Sequence, residues 1–79
     1  MSVEQQVKEV IARTLSVKAE QVDLEGKLSE EYDMDSTECV DLRVALEKTF
    51  GVKIDAAEVT KNSTPQEIVG VVTGKQAGS

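Results

Sequence analysis

The sequence predicts a small all-α fold, namely a four-helix bundle with a long loop between helices 1 and 2 and a short third helix. Capping residues followed three positions later by Glu or Gln occur at Ser2, Asp35, Asp55 and Thr64. Each pair opens a stretch of apolar residues, and no stretch alternates apolar and polar residues as a β-strand would. A chain of 79 residues is long enough for one small domain.

The first predicted helix has a single apolar stripe. Its apolar residues are spaced by four, three, one and four positions, which places them on one face: Val3, Val7, Val10, Ile11 and Leu15. The connection that follows, residues 16–35, is long for a small domain. Because apolar side chains recur along it, we expect it to be pinned across the bundle through Val17, Val22, Leu24, Leu28 and Tyr32.

The second predicted helix starts near Ser36 and ends at Phe50, where Gly51 can adopt the left-handed conformation that terminates helices. At about 100° per residue, one group of its side chains faces the core: Cys39, Leu42, Leu46 and Phe50. Val40 and Val44 lie outside that group, beside carboxylates. They form either a docking strip for a partner or ordinary exposed valines.

The last two predicted helices are shorter. The third begins after Asp55, and the fourth begins at Pro65, where the missing N–H of proline costs least. Gly74 is expected to end the fourth helix. The predicted carrier domain therefore covers residues 1–74, and residues 75–79 are expected to form a flexible C-terminal tail.

The negative charge is concentrated in one segment. The chain has 15 acidic and 9 basic residues, for a net charge of −6. Six carboxylates and no basic residue lie between positions 30 and 41: Glu30, Glu31, Asp33, Asp35, Glu38 and Asp41. This balance argues against nucleic acid as a partner and favours proteins with basic docking patches.

Composition also limits the location and the kinds of site. Nothing near the N-terminus resembles a signal peptide, and no apolar run is long enough to span a membrane. Cys39 is the only cysteine and histidine is absent, so neither a disulfide within the chain nor a zinc site is expected. We expect a cytoplasmic protein.

Ser36 stands at the start of the second helix, but Asp35 with Glu38 is the better cap, which leaves the serine hydroxyl free. The sequence offers no histidine to activate it and no G-x-S-x-G turn, so no catalytic site is predicted. The acidic positions do not complete a calcium loop, because Glu38 and Val44 replace the required Gly and Glu. A phosphate ester at the first turn would gain from the helix dipole and lose from the nearby carboxylates.

Several short segments resemble the acyl carrier protein family around its phosphopantetheine serine. They occur at fixed spacing within a similarity that covers roughly residues 3–73: Asp35-Ser36, Val40-Asp41-Leu42, Ala45-Leu46-Glu47 and Phe50-Gly51. The resemblance implies that 4′-phosphopantetheine from coenzyme A is attached to Ser36 by a phosphopantetheinyl transferase. It also implies that Asp35 helps to hold magnesium during the transfer, without a resident metal site.

The resemblance further implies two sets of residues on the second helix. Partner enzymes that transfer, condense or reduce acyl groups would dock on Thr37, Glu38, Val40, Asp41, Val44 and Glu47. An acyl chain would be sheltered by Cys39, Leu42 and Leu46. The chain would be a non-catalytic, monomeric carrier of acyl thioesters in the biosynthesis of fatty acids or of related specialised lipids or polyketides.

Some positions differ from the usual family pattern. Thr37 replaces Leu or Met, Tyr32-Asp33 replaces Leu-Gly, and Arg43 replaces an aliphatic residue. Because of these differences, we consider a dedicated carrier for one specialised pathway alongside a general carrier of fatty-acid biosynthesis. Two alternatives are a carrier of aminoacyl or peptidyl groups and a small acidic helical interaction module without a prosthetic group.

Overall fold

The computed structural model describes residues 2–77. These residues contain a 3₁₀ turn at Ala19–Gln21 and four α-helices: α1 (Val3–Leu15), α2 (Leu28–Glu31), α3 (Ser36–Phe50) and α4 (Pro65–Ala77). No strand occurs among them. The predicted all-α class is confirmed. Within the same residues, no helix has the length and apolar character that crossing a bilayer requires.

The long helices start where local sequence signals place them, and α3 also ends at such a signal. At the start of α1, the Ser2 hydroxyl accepts a hydrogen bond of 3.1 Å from the Gln5 N–H. At the start of α4, the Thr64 hydroxyl accepts from the Glu67 N–H, and the Glu67 carboxylate accepts from the Thr64 N–H. Helix α3 ends at Phe50, and the next residue, Gly51, has a φ of 65°, which glycine adopts without strain.

Helix α1 packs against both α3 and α4. This arrangement buries the predicted apolar stripe of α1, where Val7 and Ile11 are fully inaccessible to solvent. The core also takes up side chains from the connections: Val22, Leu28, Met34, Ile54 and Val59. The core is therefore shared between helices and connecting segments, as expected for so short a chain.

The first connection, residues 16–35, is pinned across the bundle as predicted. Val22 and Leu28 are buried, and Tyr32 packs against the core. The Tyr32 hydroxyl accepts a 2.8 Å hydrogen bond from the Asp23 N–H and donates a 3.0 Å hydrogen bond to the Gln21 carbonyl. The tyrosine thus ties together backbone segments that precede it by about ten residues.

The short helix lies elsewhere than predicted. Residues 56–59 form turns instead of a helix, because only half of the capping arrangement forms: the Glu58 carboxylate accepts from the Asp55 N–H, whereas the Glu58 N–H bonds to the Asp55 carbonyl. The short helix is α2, which precedes Ser36. It has no side-chain cap, and its first N–H groups donate to the second connection, residues 51–64.

Helix α4 is longer than predicted. It continues through Gly74 to Ala77, so the expected helix end at Gly74 is wrong. Glycine within a helix costs about 0.5–1 kcal/mol relative to alanine. The Lys75 ammonium lies 2.7 Å from the Glu58 carboxylate, a contact that favours one more turn. The division into a domain and a flexible tail stays a prediction, and its last residues, 78–79, lie outside the described part of the chain.

Candidate functional site

The start of α3 is closed by a complete capping box. Asp35 has an extended backbone, and its carboxylate accepts a hydrogen bond of 2.8 Å from the Glu38 N–H. The Glu38 carboxylate in turn accepts from the Asp35 N–H at 3.2 Å. The predicted roles of these two residues as cap and partner are confirmed. Both carboxylates are therefore held close to the backbone of the first turn.

Ser36 is the first residue of α3 and is exposed. None of the hydrogen bonds within residues 2–77 involves its hydroxyl. The backbone N–H groups of Ser36 and Thr37 belong to the first turn, which has no intrahelical acceptors to offer them. The result is an accessible hydroxyl at the positive end of the helix dipole.

The residue before the buried Met34 takes a backbone conformation that suits glycine. Asp33 has a φ of 56°, in the left-handed region. Aspartate tolerates this region better than most side chains do. The backbone can therefore turn into α3 here although aspartate stands where glycine is common in the resembled family, at a modest cost in strain.

The outer face of α3 carries the predicted apolar strip. Val40 and Val44 are 49% and 38% exposed. Among the described residues, they are the exposed large hydrophobic side chains. Thr37 and Asp41 are exposed beside them. No carboxylate of α3 forms an ion pair within residues 2–77. This face can therefore offer both apolar contact and unpaired negative charge to a partner.

Glu47, like the capping residue Glu38, is a predicted docking residue that already has an internal role. Its carboxylate accepts a hydrogen bond of 2.9 Å from the Ile54 N–H. One turn earlier, the Arg43 guanidinium donates to the Ile54 carbonyl at 3.1 Å. The two side chains thus bind the carbonyl and the N–H of the same residue, which holds the second connection against α3. A docking role of Glu47 stays a prediction.

A cavity of about 210 Å³ lies beside Ser36, between α3 and the second connection. Its lining side chains come from both segments: Ser36, Cys39, Ala56, Val59, Thr60 and Lys61. The Cys39 thiol donates to the Val59 carbonyl at 3.4 Å. Burial raises the pKa of the Cys39 thiol, and the charge of Arg43 offsets this only in part. Cys39 is therefore a protonated, weakly nucleophilic lining residue at neutral pH.

The other predicted acyl-pocket residues lie deeper. Leu42 and Leu46 are fully buried in the core, one and two turns beyond Cys39. Their predicted inward orientation is confirmed, whereas their contact with an acyl chain stays a prediction. Apolar side chains in a core make weak, non-directional contacts. The structure places Cys39, Leu42 and Leu46 on one side of α3.

The geometry does not provide Ser36 with a catalytic partner. Lys61 shares its cavity, but no hydrogen bond joins the two side chains, and Lys61 is exposed rather than desolvated as a catalytic lysine would be. Among residues 2–77, no group of three or more acidic or thiol side chains is arranged to hold a metal ion. The arrangement suits a serine that receives a group from another enzyme.

Comparison with known proteins points the same way. Residues 5–72 match the family model described as a phosphopantetheine attachment site. An acyl carrier protein of Petrotoga mobilis is 39% identical over 71 residues, which cover 90% of this chain and 84% of the relative. An acyl carrier protein of Nitratidesulfovibrio vulgaris is 37% identical over 76 residues, which cover 96% of this chain and all of the relative.

Proposed function

The chain belongs to the acyl carrier protein family, whose domain carries covalent 4′-phosphopantetheine, and we propose that Ser36 is its attachment residue. The observation that carries this proposal is the exposed Ser36 hydroxyl without a hydrogen-bond partner among residues 2–77. A transferase can reach this oxygen without opening the fold. When attached, the prosthetic group supplies a thiol that carries acyl groups as thioesters.

The surroundings of Ser36 fit a phosphate ester. The N-terminus of a helix favours negative charge, and the cavity beside the serine provides room on one side. In the attachment step, the Ser36 oxygen forms a bond to the phosphorus next to pantetheine. Its proton passes to a base of the transferase, and adenosine 3′,5′-bisphosphate leaves. Asp35, next to the serine, is the residue we propose to hold magnesium during this step.

We propose that partner enzymes dock on the exposed face of α3, which is formed by Thr37, Val40, Asp41 and Val44 with Glu38 at its edge. The valines supply apolar contact area, while the carboxylates orient and accelerate the encounter with a basic surface. The transferase and the enzymes that transfer, condense or reduce acyl groups would share this face. The relatives named above are acyl carrier proteins, which supports acyl groups as the cargo. We propose that these acyl groups belong to the biosynthesis of fatty acids or of related specialised lipids or polyketides.

Attachment can be tested by intact mass after incubation with coenzyme A and a phosphopantetheinyl transferase of broad specificity. We expect the wild-type chain to gain one phosphopantetheine and Ser36→Ala to gain none. Ser29→Ala is a suitable control, because Ser29 precedes α3 and its backbone N–H donor to the second connection is kept, while its hydroxyl loses only a 3.5 Å hydrogen bond to the Asn62 side chain. An unchanged wild-type mass, or a modified Ser36→Ala variant, would overturn the proposal.

Docking can be tested by charge reversal of Asp41, which is exposed and has no internal role among the described residues. We expect Asp41→Lys to slow modification by the transferase about 3–10-fold at low salt, and less at high salt. Glu20→Lys makes the same charge change at an exposed residue of the 3₁₀ turn and serves as the control. Equal effects of both variants would indicate net charge rather than a docking face.

A further inference from the structure

The cavity beside Ser36 contains one charged side chain. Of the six residues that line it, only Lys61 carries a charge at neutral pH. The residues that precede Ser36 in the chain have the opposite character, since Asp33 and Asp35 are both exposed carboxylates. A group attached to the serine therefore meets negative charge on one side and a single positive charge on the cavity side.

The backbone around Lys61 is held in place by hydrogen bonds. The Ser29 N–H of α2 donates to the Lys61 carbonyl at 2.8 Å. The Thr60 N–H donates to the Ser63 hydroxyl at 3.1 Å, and the Asn62 N–H donates to the Thr60 hydroxyl at 3.2 Å. The lysine thus sits on an ordered turn at the cavity rim, where its backbone is fixed from two sides.

The ammonium group of Lys61 has no partner of its own within residues 2–77. It takes part in none of the hydrogen bonds or ion pairs there, and the side chain is exposed. This differs from Arg43 and Lys75, the cations that hold Ile54 and Glu58. A lysine that lines a cavity without an internal partner is available to an anion that enters from outside.

We propose that Lys61 pairs with the phosphodiester formed on Ser36 and so directs the prosthetic group across the cavity between α3 and the second connection. This inference rests on the proposed attachment at Ser36. A phosphodiester carries one negative charge, which the neighbouring carboxylates repel and the Lys61 ammonium attracts. The lysine therefore places the group on the cavity side, next to Cys39 and Val59, and away from Asp33 and Asp35.

The proposal predicts that attachment of phosphopantetheine (loading) changes the melting temperature of the Lys61 variant differently from that of wild type. The loading shift is the melting temperature of the loaded form minus that of the unloaded form, and it is measured separately for each variant. We compare the melting temperature of the loaded form with that of the unloaded form for wild type, Lys61→Gln and Lys53→Gln. Lys53 is an exposed lysine of the same connection that does not line the cavity, so its substitution removes the same charge. Subtracting the unloaded form cancels any effect of a substitution on folding alone.

We expect the loading shift of Lys61→Gln to be about 1–4 °C lower than that of wild type, with Lys53→Gln equal to wild type. Lys61→Arg should restore the wild-type shift, and the difference should largely disappear in about 1 M NaCl, where charges are screened within about 3 Å. Equal shifts for Lys61→Gln and Lys53→Gln, failure of Lys61→Arg to restore the shift, or persistence in high salt would overturn the proposal.

Intact mass separates this inference from the proposal on which it rests. If every variant gains one phosphopantetheine and Lys61→Gln behaves as Lys53→Gln does, only the role of Lys61 is wrong. If wild type gains no mass, attachment at Ser36 is wrong and the pairing falls with it. Both outcomes are read from the same samples that are used for the melting experiment.

Discussion

The two connections of the bundle, residues 16–35 and 51–64, are held in place in different ways. The first has internal polar contacts, because the Tyr32 hydroxyl bonds to Gln21 and Asp23 of the same segment. The second is held from outside, by the Arg43 and Glu47 side chains of α3 at Ile54 and by N–H groups of α2 at its far end. Loss of buried side chains from the first connection should therefore lower global stability, and loss of its tyrosine contacts should loosen that segment alone. Changes on α3 should loosen the segment that borders the candidate site.

The largest expected effect comes from the core of the first connection. Leu28 is fully buried, so Leu28→Ala should cost about 2–5 kcal/mol. A domain of this size is stable by only about 3–5 kcal/mol, so this loss is a large part of its total stability. Urea unfolding followed by circular dichroism measures the loss. Leu24→Ala, at a partly exposed position of the same segment, should remain folded. Wild-type stability of Leu28→Ala would contradict the structure.

A smaller effect is expected where α3 holds the second connection. Glu47→Ala removes the acceptor of the partly buried Ile54 N–H and should cost about 1–3 kcal/mol, because hydrogen bonds to charged groups are among the stronger ones. Amide hydrogen exchange should accelerate at Ile54 more than at Val22 of the first connection. The neighbouring Lys48→Ala is the control, since Lys48 is exposed. Equal acceleration in both connections would remove the distinction between them.

Tyr32→Phe tests the internal contacts of the first connection. The variant loses an acceptor for the Asp23 N–H and a donor to the Gln21 carbonyl while its ring still packs on the core. Because water can reach these exposed backbone groups, the expected cost is about 0.5–1.5 kcal/mol. Faster amide exchange should be confined to residues 21–23. If exchange at Ile54 changed as much, the two connections would be coupled more closely than their contacts indicate.

The smallest expected effect is the pH dependence of the contact between α4 and the second connection. The hydrogen bond from Lys75, the hydrogen bond from the Asp55 N–H and the charge of Lys75 hold the pKa of Glu58 below its ordinary value of 4.5, and Glu58 raises the pKa of Lys75 above 10.5. A depressed carboxyl pKa stabilises the fold above the unfolded-state value, and this contribution is lost as the pH falls through the folded-state value.

Glu58→Gln should therefore be slightly less stable than wild type at neutral pH, with the difference disappearing below the ordinary carboxyl range. The substitution keeps an oxygen that can accept from the Asp55 N–H, so it isolates the charge. Thermal unfolding at about pH 7 and at about pH 2.5 measures the two differences. A difference of the same size at both values would show that the substitution acts through something other than the charge of Glu58.

The parts of the fold that are specified locally could be predicted from the sequence. Helices α1 and α3 begin at capping residues, and α3 ends at Gly51, so their bounds follow from short-range chemistry. Helix α2 carries no such signal. Its N–H groups at Leu28 and Ser29 bond to carbonyls more than thirty residues away, a tertiary arrangement that no local pattern encodes.

The same reasoning separates the predicted and the missed parts of the candidate site. Ser36 and its cap followed from the order of Asp35, Ser36 and Glu38. The internal role of Glu47 did not, because its partner Ile54 lies in an irregular segment just before the predicted third helix, and no local pattern links the two residues. Arg43 is the residue from which a contact with this segment could have been predicted, because a long cation at a usually aliphatic position needs an acceptor. In the structure this acceptor is the Ile54 carbonyl.

The two hydrogen bonds that hold residue 54 involve only its backbone, so its side chain can vary. Glu47 and Arg43 bind the N–H and the carbonyl of this residue, groups that every amino acid except proline supplies. Its buried side chain can therefore become Val or Leu while the two polar contacts remain. Substitutions at this position can therefore change the interior space under the second connection one methyl group at a time. The segment that covers this space stays bound to α3.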